Sequence, residues 1–191
     1  GDLPTDFLLA WIAKESYGNP CSWTSLRESG VFQLMYGDNQ RDGGTTEAAL
    51  RAACVGTTQT LARSLTAAEA EEQIRSGVQY VRKARDQARA KLAASGVSWP
   101  ESSSDFGKMV KFVHVAPARI LPWRAAARAG LGRPPNSWAE IMPFAAGVNI
   151  PAHWAANANE VGSYWKGGQI PVLAVAIVAV MRKMLVILNA R

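Results

Sequence analysis

Glu15 falls on a helical stripe with Leu8, Trp11 and Ile12, at i, i+3, i+4 and i+7, which aims its carboxyl at an apolar region or the edge of one. Burial of that kind favours the neutral acid, and a neutral carboxylic acid is a proton donor, so Glu15 is the first candidate for a general acid. Periodicity alone also allows a glutamate that reaches solvent at the helix end or pairs with an arginine. A second carboxylate, Glu28, stands in the loop before Gly30, where it can hold a water across a cleft or simply bond Arg27 or backbone amides. Gln33 lies inside an apolar run and its amide needs a partner, so it is a ligand-contact candidate. Met35 reads first as core filling, with a ligand contact as the alternative, and Tyr36 and Tyr80 can supply aromatic contacts. His114 and His153 belong to no spaced His/Glu or His/Cys pattern; the expectation is a satisfied imidazole, no metal and no cofactor.

The elements that must position these residues are helical. Residues 6–16 read as a helix capped by Thr5 or Asp6 and ended by Gly18, Asn19 and Pro20. Polar loops at 22–29 and 37–45 flank the short apolar stretch 31–35, and residues 46–54 read as a short helix. Thr66 and Glu69 form a capping-box signature opening a long helix whose apolar stripe is Ile74, Val78, Val81, Ala84, Ala88 and Leu92. Gly96 stops that helix and residues 98–104 read as an exposed linker. A further helix is expected over 105–115, ending before Pro117, then short helical pieces broken by prolines up to Gly168. The apolar segment 170–188 is interrupted by Arg182 and Lys183 and is too short to span a bilayer, so a buried core helix is expected there. No strand alternation and no internal repeat stands out. The expectation is a single all-α domain over 1–191, which the family likeness given below divides into a core at 1–124 and a C-terminal extension, 125–191, packing on it.

Composition narrows the setting. The chain has 191 residues, 48% hydrophobic, with 21 basic against 15 acidic residues, a formal charge of +6. A surface of that sign attracts an anionic polymer, which admits nucleic acid, anionic membrane or peptidoglycan. The densest basic run, Arg82, Lys83, Arg85, Arg89 and Lys91, reads as a solvated helix face. No helix-turn-helix or single-strand stacking platform can be picked out, so no nucleic-acid partner is expected, nor is stable membrane insertion. No secretory leader is legible at the N-terminus. Cys21 and Cys54 are the only cysteines; a disulfide and two buried thiols are both open readings.

Four stretches carry a family likeness. Ala13-Lys14-Glu15-Ser16-Tyr17-Gly18-Asn19-Pro20 and Gly30-Val31-Phe32-Gln33-Leu34-Met35 resemble the lytic transglycosylases related to goose-type lysozyme, with Thr24 where that family has a hydroxyl residue between the two motifs. Gln73-Ile74-Arg75-Ser76-Gly77-Val78-Gln79-Tyr80-Val81 is similar to the family's third motif. Gly77, mid-helix, is then explained by a close approach of another backbone or of the catalytic helix, since glycine there is otherwise unfavourable by about 1 kcal/mol. Phe112-Val113-His114-Val115-Ala116-Pro117-Ala118-Arg119 matches the fourth motif imperfectly: Val113 replaces a cleft tyrosine and His114 an asparagine. The likeness covers residues 3–124.

The resemblance implies a lysozyme-like helical fold for residues 3–124, to which the apolar segment 170–188 adds an extra hydrophobic helix. It implies cleavage of peptidoglycan strands between N-acetylmuramic acid and N-acetylglucosamine. Glu15 would act as acid and then base, assisted by the substrate's own acetamido group, and the product would be a 1,6-anhydro sugar or a hydrolysed end. Thr24, Gln33, Met35, Tyr36, Tyr80 and His114 would contact substrate, and Glu28 would favour hydrolysis. The implied setting is periplasmic or secreted. The implied partners are glycan strands and, depending on the user, a secretion machine, a phage-like particle or an immunity protein. Two rivals remain: a non-catalytic glycan-binding domain, favoured by the altered fourth motif, and a helical nucleic-acid binder, suggested by charge and tryptophans alone.

Overall fold

The computed structural model describes residues 3–24, 28–35, 54–55, 60–61, 65–97 and 99–166. Tyr36, the loop 37–45 and the apolar segment 170–188 lie outside these residues, as does nearly all of the expected helix 46–54. Helices dominate: α1 (Thr5–Ser16), α2 (Ala67–Ala93), α3 (Ser104–Val115), α4 (Ile120–Leu131), α5 (Trp138–Ile141) and α6 (Ala152–Gly162), with 3₁₀ turns at Pro117–Arg119, Met142–Phe144, Ala146–Val148 and Ser163–Lys166. Two small antiparallel ladders join them, β1 (Glu28–Ser29) with β2 (Leu34–Met35), and β3 (Cys54–Val55) with β4 (Thr60–Leu61). Strands of two residues are too short for an alternation to show in sequence. Cys54 is therefore in a strand, and not at the end of a helix as expected.

The described residues fall into two compact units, 8–80 in one and 3–7 with 81–166 in the other. In the first, α2 opens as its sequence predicts. Thr66 N–H donates to Glu69 Oε2 at 2.8 Å and Glu69 N–H donates to Thr66 Oγ1 at 3.2 Å, so two donors that a helix start leaves without partners are satisfied reciprocally. The disulfide Cys21–Cys54 closes a stretch of 33 residues.

In the second unit the core is aromatic. Phe112 of α3 meets Trp123 of α4 at 4.9 Å between ring centroids, and Trp123 meets Trp138 of α5 edge-on at 5.2 Å. Trp123 anchors its polar edge by donating to Ile141 O at 2.6 Å. Helices α3 and α6 approach closely because Gly162 lacks a side chain: a Cβ there would come within 2.3 Å of the Lys108 backbone. Ser103 caps α3 by accepting Phe106 N–H at 3.1 Å, so the helix starts at Ser104, one residue before the start expected from sequence.

Within the stretch read as an exposed linker, Pro100, Glu101 and Ser102 are exposed, but the stretch is anchored at Trp99. Trp99 is buried, and its indole N–H donates to Pro135 O at 3.2 Å. Two members of the basic run on α2 are ion-paired: Arg89 forms a fork-to-fork pair with Glu101 and also bonds Asp86, which Arg85 reaches at 3.2 Å. Among the described residues no helix is long and apolar enough to cross a membrane.

Candidate active site

The last turn of α1 ends in Glu15 and Ser16. Phe7, Ala10, Trp11, Ile12 and Ser16 are buried, while Leu8 is half-buried, so the apolar face is rotated from the stripe read in sequence. Glu15 sits at its edge and is half-buried rather than enclosed.

Ser16 fastens this helix end. Its Oγ reaches Val31 O at 2.8 Å and Ile12 O at 3.1 Å, and accepts Gly18 N–H at 3.1 Å. The chain then leaves the helix through two left-handed residues, Tyr17 (φ 52°) and Gly18 (φ 74°), with Tyr17 exposed. Tyr17, and not only Gly18, Asn19 and Pro20, therefore ends the helix. Asn19 Oδ1 accepts Cys21 N–H at 2.9 Å, a side-chain turn that directs Cys21 to its disulfide.

Residues 28–35 form a hairpin bonded to that end, and Trp23 bridges to Ser29 beside it. Thr24 N–H donates to Glu28 O at 3.0 Å and Thr24 Oγ1 donates to Glu28 Oε2 at 2.8 Å. Glu28 pairs with Met35 across the β1–β2 ladder and Ser29 with Leu34. Residues directly opposite on a ladder share a face. One face is thus Ser29 and Leu34, both buried, and the other is half-buried Glu28 with Met35, which is 53% exposed. Met35 is a surface residue, contrary to a core reading.

Gln33 has the opposite fate. It is buried with φ 50°, and its Nε2 donates to Ser22 O at 2.8 Å and Gly30 O at 2.7 Å. The left-handed backbone turns the side chain inward, so its amide nitrogen braces the hairpin. What the folded chain displays for Gln33, expected as a ligand contact, is this scaffold role in the loop.

Four residues that sequence reasoning gave no role hold the hairpin turn. Trp11 donates to Phe32 O at 3.4 Å, Ser16 bonds Val31 O, and Gln73 of α2 accepts Val31 N–H at 3.3 Å. The fourth is Phe32, whose ring occupies the space over Gly77. The close approach expected at Gly77 is real, but the neighbour is this ring and not a backbone or the catalytic helix. Tyr80, half-buried, meets Trp11 edge-on at 6.4 Å. Trp11 precedes Glu15 by four residues and so shares its side of α1.

His114 belongs to the other unit, with the 81–166 stretch. Burial pushes its imidazole well below the usual histidine range and nearby Lys111 adds to the effect, so it is neutral at physiological pH. Val113 beside it is buried in apolar surroundings. Exposed His153 lies edge-on to Trp154 at 6.1 Å. Among the described residues no three His, Cys, Asp or Glu side chains group as a metal site requires.

No family model, curated protein or solved structure matches the chain. The arrangement must therefore be judged on its own chemistry: an accessible carboxyl at a rigid helix end, and a braced hairpin that presents a second carboxylate beside an exposed thioether.

Proposed function

We propose that this chain cleaves peptidoglycan glycan strands between N-acetylmuramic acid and N-acetylglucosamine, with a lysozyme-like fold of the lytic transglycosylase kind and Glu15 as its single general acid and base. The observation that carries the reading is the bond from Ser16 Oγ to Val31 O at 2.8 Å. It joins the Glu-Ser pair ending α1 to the Gly30–Met35 segment, two of the four stretches that carry the family likeness. A general acid needs a fixed position relative to the groove that holds its substrate, and this bond, with those from Trp11 and Gln73 to the same turn, supplies the rigidity.

Glu15 gives its proton to the glycosidic oxygen as the substrate's acetamido group stabilises the anomeric centre. The resulting carboxylate takes a proton from the sugar's C6 hydroxyl, closing a 1,6-anhydro ring, or from water. Glu28, fixed by Thr24, is the residue available to orient that water. Exposed Met35 on the same ladder face, with Tyr80, suits contact with the apolar faces of sugars. The Cys21–Cys54 disulfide supports a periplasmic or secreted setting, and the charge of +6 supports an anionic polymer as partner.

Buried Val113 and the internal bonds of Gln33 favour a second reading, a glycan-binding domain without catalysis. Digestion of purified peptidoglycan with wild type and Glu15→Gln separates the two, with soluble fragments resolved by mass spectrometry. Anhydro or reducing ends from wild type and none from the variant support catalysis by Glu15. Sacculus binding without release supports the binding domain.

A further inference from the structure

Among the described residues, Tyr17, Gln33 and Asn149 are the non-glycine residues with positive φ, at 52°, 50° and 57°. For Gln33 the two bonds from Nε2 to Ser22 O and Gly30 O offset the cost, and asparagine is one of the few residues that visit this region routinely. Tyr17 has neither compensation. A bulky side chain at such a φ is an outlier. Its ring is 75% exposed, and among the described residues the phenol has no hydrogen bond and the ring no aromatic partner.

The turn accounts for the conformation but not for the side chain. With Tyr17 and Gly18 both left-handed, Gly18 N–H reaches Ser16 Oγ at 3.1 Å and Asn19 N–H reaches Ser16 O at 2.9 Å, which closes the turn at the end of α1. Glycine at position 17 would close the same turn with no Cβ penalty. A lone exposed tyrosine is ordinary. One held in a backbone region that disfavours it, at the end of the helix carrying the candidate acid, is strain of the kind that gathers at functional sites.

Tyr17, Met35 and Leu121 are the exposed large hydrophobic residues among those described. Tyr17 and Met35 belong to the unit that carries Glu15, on the two segments that the bond from Ser16 Oγ to Val31 O joins. Tyr17 follows Glu15 by two residues, so their Cα atoms lie within about 7.6 Å of each other. A glycan strand runs past the cleaved bond in both directions, so a platform this close serves a neighbouring sugar without having to face the carboxyl itself.

We propose that Tyr17 is a substrate-binding residue whose exposed ring stacks on the C–H face of a pyranose next to the cleaved bond, an inference that rests on the proposed glycan substrate. Aromatic ring and pyranose face remove each other's apolar surface from water. The ring is open to such contact with no movement of the protein. Its strain is then retained for binding: glycine or asparagine makes a more stable turn and a weaker site.

The test uses the full chain in the Glu15→Gln background, where strands stay whole, and reads both Tm and binding to purified peptidoglycan sacculi. Tyr17→Gly and Tyr17→Asn should hold or raise the Tm while weakening sacculus binding about tenfold, the equivalent of one lost stacking contact. Tyr17→Phe keeps the ring and should bind within about twofold of its parent. Unchanged binding in Tyr17→Gly, a loss in Tyr17→Phe as large as in Tyr17→Gly, or a Tm that falls in both Tyr17→Gly and Tyr17→Asn would overturn the proposal. Digestion by the chain with Glu15 intact keeps the two readings apart. Cleavage dependent on Glu15, with binding indifferent to position 17, sinks the Tyr17 platform alone. Binding that follows position 17 without any cleavage supports the platform and sinks catalysis, and no sacculus binding at all removes both.

Discussion

The ring of Phe32 fills the space where Gly77 has no side chain: a Cβ added there would lie 2.0 Å from Cδ2 of the ring. The hairpin turn after Gly30 and the third motif-like stretch on α2 are thereby locked together, and the same turn is bonded to α1 by Ser16 and Trp11. The carboxyl of Glu15 thus depends on a glycine more than sixty residues away for the stillness of its surroundings.

Gly77→Ala should destabilise the fold by about 1–3 kcal/mol through overpacking, although alanine is the better helix former by about 1 kcal/mol. Phe32→Leu in the same chain should recover part of that loss, because the two sites share one volume. Urea unfolding of both single variants and the double variant measures the coupling. Additive effects would mean that the ring moves aside freely.

Loss of the Cys21–Cys54 bond should lower stability by about 3–4 kcal/mol, from the loop entropy of a closure spanning 33 residues. Comparing wild type with Cys21→Ser/Cys54→Ser in denaturant, with and without reductant, checks this. Wild type should approach the variant only when reductant is present.

Glu28→Gln should cut hydrolytic product by roughly 10²-fold or more if Glu28 orients the attacking water, and leave anhydro product less affected. Thr24→Val removes the 2.8 Å bond to Glu28 and should act in the same direction, more weakly. The ratio of reducing to anhydro ends in digests reads both. An unchanged ratio in Glu28→Gln would confine Glu28 to the loop's structure.

His114 is held below its ordinary range first by burial and then by Lys111, so the folded state refuses a proton that the unfolded chain accepts. Stability should therefore fall as pH drops below about 6.5, the unfolded value, and continue to fall until the folded imidazole is itself protonated. Urea midpoints between pH 7.5 and 5 should show this slope in wild type and less of it in His114→Gln.

Local signals are where sequence and structure agree. The capping box at Thr66 and Glu69, the stop at Gly96 and the helix beginning beside Ser103 are all written within a few residues, because caps and turns are satisfied by immediate neighbours. The all-α character follows from the same helical periodicities. A helix carrying Glu15 at its end was legible for that reason too, as was the anomaly of a glycine in mid-helix.

Tertiary structure decided what those residues face. Gln33 turns inward because its φ is positive, Met35 turns outward because it sits opposite Glu28 on a ladder of two-residue strands, and Glu15 rests at an edge because the buried face of α1 centres nearer Phe7 and Trp11. Trp99 is buried in the folded chain, where Pro135, thirty-six residues on, accepts its N–H. Amino-acid type and spacing determine which local conformations are cheap. The direction of a side chain at a turn or helix edge is a competition among partners distant in sequence, and only the folded chain brings those partners within reach.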